Sequence, residues 1–586
     1  MITELLRNNV IVGGLEDQVE ALVSVVYRSL IGSPFKNSIP SFTKSNQPIF
    51  EWFFNGVGIL FNRIAFTNIF SIVSLLLSFL GIYFLLTFLK VKKFIAFLLS
   101  LVFAFSPYNF INIGIHPSLA QIWVVPVFAL FLLDFLNNGR FRKAFFAGIF
   151  LSLSLLTSNY LGYFLILFTF CFLISNIIIK TIFKEINFVW IKQMIFGYFI
   201  MGVTFLAITI LALFPYIKAN YIGKAIGYKQ EAVSKKESNF VVQRTLEEFQ
   251  NFSGRPWYLF LPPIQNPIFG GITKNVLDWM KNDWGYFLAD DYFNKESPAM
   301  FLGWANIVVF MRAVFLSLKA IRKKNNQLPI INNQRIINFQ ILVWALTALL
   351  LFLFTLPPFF TLGGITVYTP GWILFKLFPM FRVTQRLGVL IFLCVLIVNG
   401  LYLSSIFKRN IKFIVVIIFI TFITMVEFYI PVTYADVSKV PAVYEYLASI
   451  KETQKFEFEY KGKKGNYEGP VIIAEYPGGR AEEIFWITRH QKGLINPRGY
   501  INSEYGFSSY DFTKYLATKE GLDVAKSLGV RYIVFDLNGL LKSKQELIDS
   551  YKNEDPEKFF NENCERVGGF EGKILYKIRN TDESNF

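Results

Sequence analysis

Residues able to do chemistry are sparse in this chain, and most lie beside hydrophobic segments. Near the N-terminus the run GGLEDQVE sets Glu16 against Asp17, with Glu20 one turn further on. Adjacent carboxylates can hold a divalent cation through oxygen ligands, or take a proton as a general base. The same acids would also open an amphipathic helix, where negative charge favours the N-terminus. His116, in SPYNFINIGIHPS, can meet a phosphate or exchange a proton. It can equally be an interfacial side chain packed beside Pro117. Arg382 and Arg386, in LFKLFPMFRVTQRLGVL, stand four apart, which predicts one shared helix face. Two guanidiniums at the edge of a membrane suit a phosphate or diphosphate; snorkelling to lipid headgroups is the alternative. Trp257, Trp279 and Trp284 suit either stacking on a sugar face or an interfacial aromatic belt. Asp283, Asp290, Asp291 and Glu296 are spread too loosely to predict a metal site.

Other chemistries lack their residues. There is no P-loop, no GxGxxG opening a helix after a strand, no HExxH and no GxSxG. The 3 cysteines (Cys171, Cys394 and Cys564) form no CxxC pair, and the chain has 2 histidines, which excludes a disulfide framework or a Cys/His zinc centre.

The elements that must position these residues are membrane helices. Of 586 residues, 54% are hydrophobic, 17% are charged and 67 are Phe, more apolar surface than a water-soluble fold can hide. Runs of spanning length fall at 68–89, 94–112, 118–136, 143–158, 160–179, 193–215, 299–318, 337–356, 386–406 and 412–431, predicting about ten transmembrane helices. Basic residues fill alternate loops: Lys90, Lys92 and Lys93; Arg140, Arg142 and Lys143; Lys180, Lys184 and Lys192; Lys319, Arg322, Lys323, Lys324 and Arg335; Lys408, Arg409 and Lys412. The short loops 106–117, 157–160 and 355–370 carry no Lys or Arg. This is a positive-inside pattern, and it predicts the orientation. Those five loops hold nearly all of the net charge of +17, so the basicity reports topology and calls for no nucleic-acid partner.

The predicted architecture is an α-helical polytopic membrane protein of the cytoplasmic membrane with a C-terminal extracytoplasmic α/β domain. Residues 1–67 form a first outer segment with interfacial helices. Residues 68–432 form the transmembrane domain, with a large outer loop at 216–298, and residues 433–586 form the soluble outer domain. An outer N-terminal segment without a signal peptide requires a first span inserted N-terminus out, or an upstream helix. In the C-terminal domain, apolar runs at 470–476, 531–536 and 573–578, with a helical stretch at 518–528 ending at Gly529, predict strands separated by helices.

In order along the chain, GGLEDQ, NQPIFEWFFNGVGILF, LVFAFSPYNFINIGIHPSLAQIW, PPIQNPIFGG, ESPAMFLGW, TPGWILFKLFPMFRVTQRLGVL and a tail with LINPRGYIN and SLGVRYIVFD together resemble integral membrane glycosyltransferases of the GT-C superfamily. The tail resembles those of the superfamily's large uncharacterised bacterial and archaeal branch. The GT-C resemblance implies an inverting transfer of a sugar from a polyprenyl-phosphate donor in the lipid bilayer to a glycan, lipid or protein acceptor at the outer membrane face. It places Asp17 and Glu16 as catalytic acids and ligands of a divalent cation (Mg or Mn), although here the two acids are adjacent rather than separated by one residue. It implies that Arg382 and Arg386 bind the donor phosphate; His116 and Trp257, from their own chemistry, are the candidate substrate contacts. It also implies a span before GGLEDQ. Two alternatives remain: a lipid or glycan transporter, against which the lack of an internal repeat speaks, and a non-catalytic binding protein that keeps the fold.

Overall fold

A computed structural model of the chain describes residues 10–12, 30–35, 47–49, 63–217, 245–281, 292–323, 332–362, 364–407, 410–431, 434–498, 500–502, 505–542 and 555–579. Two compact units divide them: residues 47–49 and 69–431 form one, and residues 10–12, 30–35, 63–68 and those from 434 onward form the other.

The first described element is a short strand, β1 (Val10–Val12). The helical unit follows with α1 (Arg63–Phe88), α2 (Lys93–Ala104), α3 (Pro107–Ile115), α4 (Val124–Asn138), α5 (Phe141–Thr157), α6 (Asn159–Phe183) and α7 (Phe188–Ile217). After α8 (Leu246–Asn251) and α9 (Gly270–Met280) come α10 (Trp304–Lys323) and α11 (Asn332–Thr355). A hairpin of β2 (Phe359–Leu362) and β3 (Ile365–Tyr368) precedes α12 (Gly371–Leu377), α13 (Gly388–Ile406) and α14 (Ile411–Phe428).

Among the described residues, seven helices are long and apolar enough to cross a membrane, and the bent pair α2–α3 raises the number to eight. Ten spans were expected, and the three remaining runs explain the difference. The run 94–112 is broken between α2 and α3, which meet at 43°. Pro107 is the first residue of α3, Ser106 before it is extended, and the Asn109 side chain satisfies the freed carbonyl of Ala104 at 2.8 Å. The runs 118–136 and 143–158 form helices of only 15 and 17 residues.

At the centre of this unit lies α13, in which every residue from Gly388 to Leu403 is buried. It packs against α2, α10 and α11. Its sequence is apolar all round, as expected for a helix with no free face. By contrast α7 and α14 keep Phe199, Leu211, Phe419 and Phe422 exposed, the apolar surface that a lipid environment covers. Small residues allow close helix approach: a Cβ on Gly148 of α5 would lie 2.6 Å from the Met201 carbonyl oxygen of α7.

The second unit is an α/β domain. Its sheet runs β12 (Cys564–Phe570), β13 (Lys573–Ile578), β11 (Val530–Asp536), β7 (Ile472–Tyr476), β8 (Gly493–Leu494). Strands β7, β8 and β11 are parallel, and β13 and β12 are antiparallel additions. The three apolar runs read from the sequence are β7, β11 and β13, and the helical stretch before β11 forms Lys519–Ser527. Alternate side chains face two cores. Ile473, Tyr532, Val534 and Leu575 pack with Val443, Tyr444, Ile484 and Trp486; Ile472, Ala474, Ile533 and Tyr576 pack with Phe512, Leu516, Leu522 and Phe560. Strand β1 pairs antiparallel with β4 (Tyr434–Asp436), so a segment from each end of the chain joins this unit.

Candidate functional site

Among the described residues of the helical unit, a dense charged cluster lies at the end of the bundle opposite the Lys- and Arg-rich turns. Arg386 is in a 3₁₀ turn, Thr384–Leu387, that leads directly into α13. Its guanidinium grips Glu296 with two hydrogen bonds, Nη2 to Oε1 at 2.6 Å and Nε to Oε2 at 3.2 Å. The side chains are only 8% and 10% exposed, so this is a buried ion pair with two-point geometry. His116, the residue that ends α3, reaches the same carboxylate, with Nε2 3.6 Å from Oε1. The Tyr160 ring lies under the guanidinium at 4.8 Å. The Tyr108 hydroxyl is buried beside the pair and has no hydrogen-bond partner among the described residues.

Local sequence explains how Glu296 is aimed. Asn294 Oδ1 accepts from the Glu296 N–H at 2.9 Å, and the Asn294 side-chain amide donates to the Asn251 carbonyl. The 3₁₀ turn Ser297–Met300 follows at once. Gly388 lets the start of α13 touch this turn; a Cβ there would be 2.7 Å from the Ala299 carbonyl oxygen. Gln385 ties the same region down, donating to the Ser253 carbonyl at 3.0 Å and accepting from the Ser297 hydroxyl at 3.3 Å. Burial works against ionisation of Glu296, but the charge and hydrogen bonds of Arg386, with His116 beside it, outweigh burial and hold the carboxyl at about 2.

Arg382 differs from its neighbour. The sequence spacing predicted that both arginines share a helix face; instead Arg382 sits in a non-helical link, because the helix begins only after it. It pairs with Glu248 of α8 at 2.7 Å and lies over the Phe252 ring at 5.1 Å. Its side chain is 25% exposed, so it is the arginine of the two that water or a ligand can reach.

Trp257 is half-buried in a 3₁₀ turn, Pro256–Leu259, with its ring edge-on to Tyr258. Two residues earlier, Arg255 is completely buried, donating to the carbonyls of Ser253 and Gln250 and stacking 4.3 Å from the Tyr292 ring. Glu16, Asp17, Glu20, Trp284, Asp283, Asp290 and Asp291 lie outside the described residues, as does most of the segment NQPIFEWFFNGVGILF. Among the described residues no group of three His, Cys, Asp or Glu side chains can hold a metal ion.

The structure therefore brings together His116 and Arg386, through an acid that the sequence had offered only as a scattered carboxylate. Glu296, Glu248, Arg255 and Tyr108 carry the site's geometry without a motif. One signal was available for Glu296: it is an acid directly before an apolar span, in ESPAMFLGW, where an uncompensated charge at membrane depth requires a partner.

A second polar cluster lies in the α/β unit, where the parallel strands β7 and β11 end. Asp536 accepts from Arg480 at 2.6 Å and from Lys573 at 2.8 Å; Arg480 also meets Glu483 at 3.0 Å. Burial opposes the charge on Asp536, yet Lys573 and Arg480 hold it at about 2. Glu475 accepts from the Tyr444 hydroxyl at 3.0 Å, while its other oxygen is buried with no hydrogen-bond partner among the described residues. Its burial dominates over the nearby Lys573 and pushes the carboxyl up to about 8. His490 is buried against Tyr444 and held neutral, at about 3, by burial and by Lys492.

No protein-family model and no curated protein matches this chain. Solved structures with a similar trace are those of the Archaeoglobus fulgidus oligosaccharyltransferase. The form holding Zn and sulfate aligns over 97% of this chain and 70% of its own, at a TM-score of 0.49 and 11% identity. The form tethered to an acceptor peptide with an NVT sequon aligns over 99% and 72%, at 0.48 and 11%. The form with an inhibitory peptide and a dolichol-phosphate aligns over 97% and 72%, at 0.46 and 13%.

Proposed function

We propose that the protein is a membrane glycosyltransferase of the GT-C kind, moving a sugar from a polyprenyl-phosphate donor to an acceptor at the outer membrane face. One observation carries the reading: a buried, two-point Arg386–Glu296 pair joined by His116, with the more exposed Arg382 close by in sequence, at the end of the bundle away from the basic turns. Buried charge at a membrane edge is expensive and marks a functional site by default. The GT-C resemblance supplies the chemistry that such a site would serve.

In this reading Arg382 meets the lipid phosphate, leaving Glu248 or sharing it. Arg386, its charge balanced by Glu296, holds Glu296 and His116 in place. Asp17 or Glu16 takes the proton of an acceptor hydroxyl. The hydroxyl oxygen then bonds to the anomeric carbon as the bond from that carbon to the phosphate oxygen breaks. The polyprenyl phosphate leaves with the bonding pair, and the anomeric configuration inverts. Positive charge at the leaving phosphate stabilises the transition state. The resemblance also implies a divalent cation at Glu16 and Asp17.

The test is sugar release from a panel of radiolabelled polyprenyl-phosphate sugars, with and without Mn²⁺ or Mg²⁺, beside the Glu16→Ala, Asp17→Ala double variant. Turnover lost in the variant supports the transferase and its base. A second reading rests on the acid partners that both arginines already have: the pairs would be structural ties in a non-catalytic binding protein. Saturable donor binding with no turnover for any donor would favour that reading.

A further inference from the structure

Helix α9 presents three kinds of surface, and its sequence keeps them apart. At about 100° per residue, Gly270, Thr273 and Leu277 fall on one side of the helix. All three are buried. Thr273 donates to the Pro262 carbonyl at 2.7 Å, and Gly270 lies against the Ile264 carbonyl oxygen, where a Cβ would not fit. The rest of the helix divides by polarity. Lys274, Asn275 and Asp278 share a second side with Lys281, which follows the last turn; all are exposed. Ile272, Val276, Trp279 and Met280 share the third, where Ile272 and Trp279 are exposed and Val276 and Met280 half-buried. Trp279 is 78% exposed. The bare apolar surface continues into the segment before the helix, through Ile268, Ile264 and Phe260. One face on the protein, one charged and one apolar and uncovered is the pattern of a helix lying at a membrane surface.

We infer that α9 and the segment before it rest in the lipid leaflet at the end of the bundle away from the basic turns, with Ile268, Ile272 and Trp279 among the acyl chains and Lys274 toward water. Continuity with the lipid-covered surface of the bundle argues for this occupant. Asn266 ties the segment to the end of α14: its side-chain amide donates to the carbonyls of Val426 at 2.7 Å and of Glu427 and Tyr429 at 3.1 Å. Its Oδ1 accepts from the N–H groups of Ile268 and Phe269, at the start of α9. Trp304, the first residue of α10, donates from its indole to the Phe260 carbonyl at 2.8 Å, and its ring meets that of Phe269 at 5.2 Å. These are the ends of α10 and α14 remote from Lys319 and Lys412, and near them Val308, Phe422 and Tyr429 are exposed as apolar surface for lipid. Stacking on a sugar is the other use of a bare Trp. The neighbours of Trp279 on its own face are Ile272, Val276 and Met280, which offer a sugar hydroxyl no hydrogen bond. In the chain α9 stands between Glu248 and Glu296, so the loop that supplies acid partners to Arg382 and Arg386 is held to the membrane along its course. The inference does not depend on the transferase reading.

The experiment places a nitroxide on single cysteines, Ile272→Cys, Trp279→Cys, Asn275→Cys and Asp278→Cys, in the full chain in phosphatidylcholine nanodiscs. The native Cys171, Cys394 and Cys564 are buried, which confines the label to the introduced sites. Collisions with oxygen, which partitions into lipid, are compared with collisions with a water-soluble nickel chelate. The oxygen-to-nickel ratio at positions 272 and 279 should be severalfold higher than at 275 and 278. Equal ratios on the two sides would overturn the inference. Few collisions with either reagent at 272 and 279 would also overturn it, because a protein surface, such as a second copy of the chain, would then cover that side. A second measurement uses the unaltered chain: a phospholipid with a photoactivated carbene on its acyl chain, with the labelled residues mapped by mass spectrometry. Label should appear within 260–280 as well as on α7 and α14. Label on α7 and α14 with none within 260–280 would overturn the inference.

Discussion

Replacing Glu296 by Gln should make the stability of the helical unit insensitive to acid in a window where the wild type is sensitive. A carboxyl held at about 2 in the fold, against an ordinary value of 4.5, contributes about 3 kcal/mol at neutral pH. The sign follows from the depressed value. The contribution is fully present above 4.5, where both folded and unfolded carboxyls are ionised. It is lost as pH falls toward 2, because the unfolded chain takes up the proton first. An independent figure agrees: removing one partner of a buried ion pair costs about 3–5 kcal/mol, since the other charge is left uncompensated. The assay is thermal unfolding in nanodiscs from pH 7 to pH 3 for wild type and Glu296→Gln. At pH 7 the variant should unfold at a clearly lower temperature, and the gap should narrow steadily below pH 4.5. Asp536 in the α/β unit titrates in the same window but is common to both proteins, so the difference isolates Glu296. A gap that stays constant down to pH 3 would refute the ion-pair argument.

Other expectations concern different links in the argument. Arg382→Gln should weaken donor binding about 10- to 100-fold, the effect of losing a charged hydrogen bond, with Arg382→Lys intermediate; equilibrium binding of a polyprenyl phosphate measures this. Glu475 has the opposite sign to Glu296. With its carboxyl raised to about 8, the folded α/β unit keeps a proton that the unfolded chain releases above 4.5, so stability falls as pH rises between those values. Glu475→Gln should remove that slope, read as unfolding midpoints from pH 5 to pH 9. Gly148→Ala should destabilise by about 1–3 kcal/mol, because its methyl group meets the Met201 carbonyl of α7, and Gly202→Ala, which has open space, should not.

Helix existence was legible because apolar runs of spanning length have no other stable home, and the basic turns marked their ends. Three runs were harder. The break at Pro107 depends on how Asn109 compensates the Ala104 carbonyl, a tertiary detail inside a continuous apolar string. In the α/β unit the strands β7, β11 and β13 could be read from short apolar runs, but their order could not, since β11 pairs with strands on both sides of it in the sequence. At the candidate site, His116 and Arg386 stood out by type. Their common partner did not, because a carboxylate 90 residues from Arg386 has no local pattern tying the two together. The helical spacing of Arg382 and Arg386 misled, since α13 starts only at Gly388.

The shortness of α4 and α5 bears on the membrane itself. Helices of 15 and 17 residues reach about 22 and 25 Å, against a hydrocarbon layer of about 30 Å. Arg140 lies between them, Arg142 and Lys143 are in the first turn of α5, and Lys143 is anchored to Asp134 at 2.8 Å. Such a hairpin is a hydrophobic mismatch fixed in the protein. Lipids beside it must compress, or the basic side chains must stretch outward to the headgroups, each at a fraction of a kcal/mol per Å. Reconstitution into lipids of increasing acyl length should therefore strain this corner of the bundle before the longer helices α6 and α7.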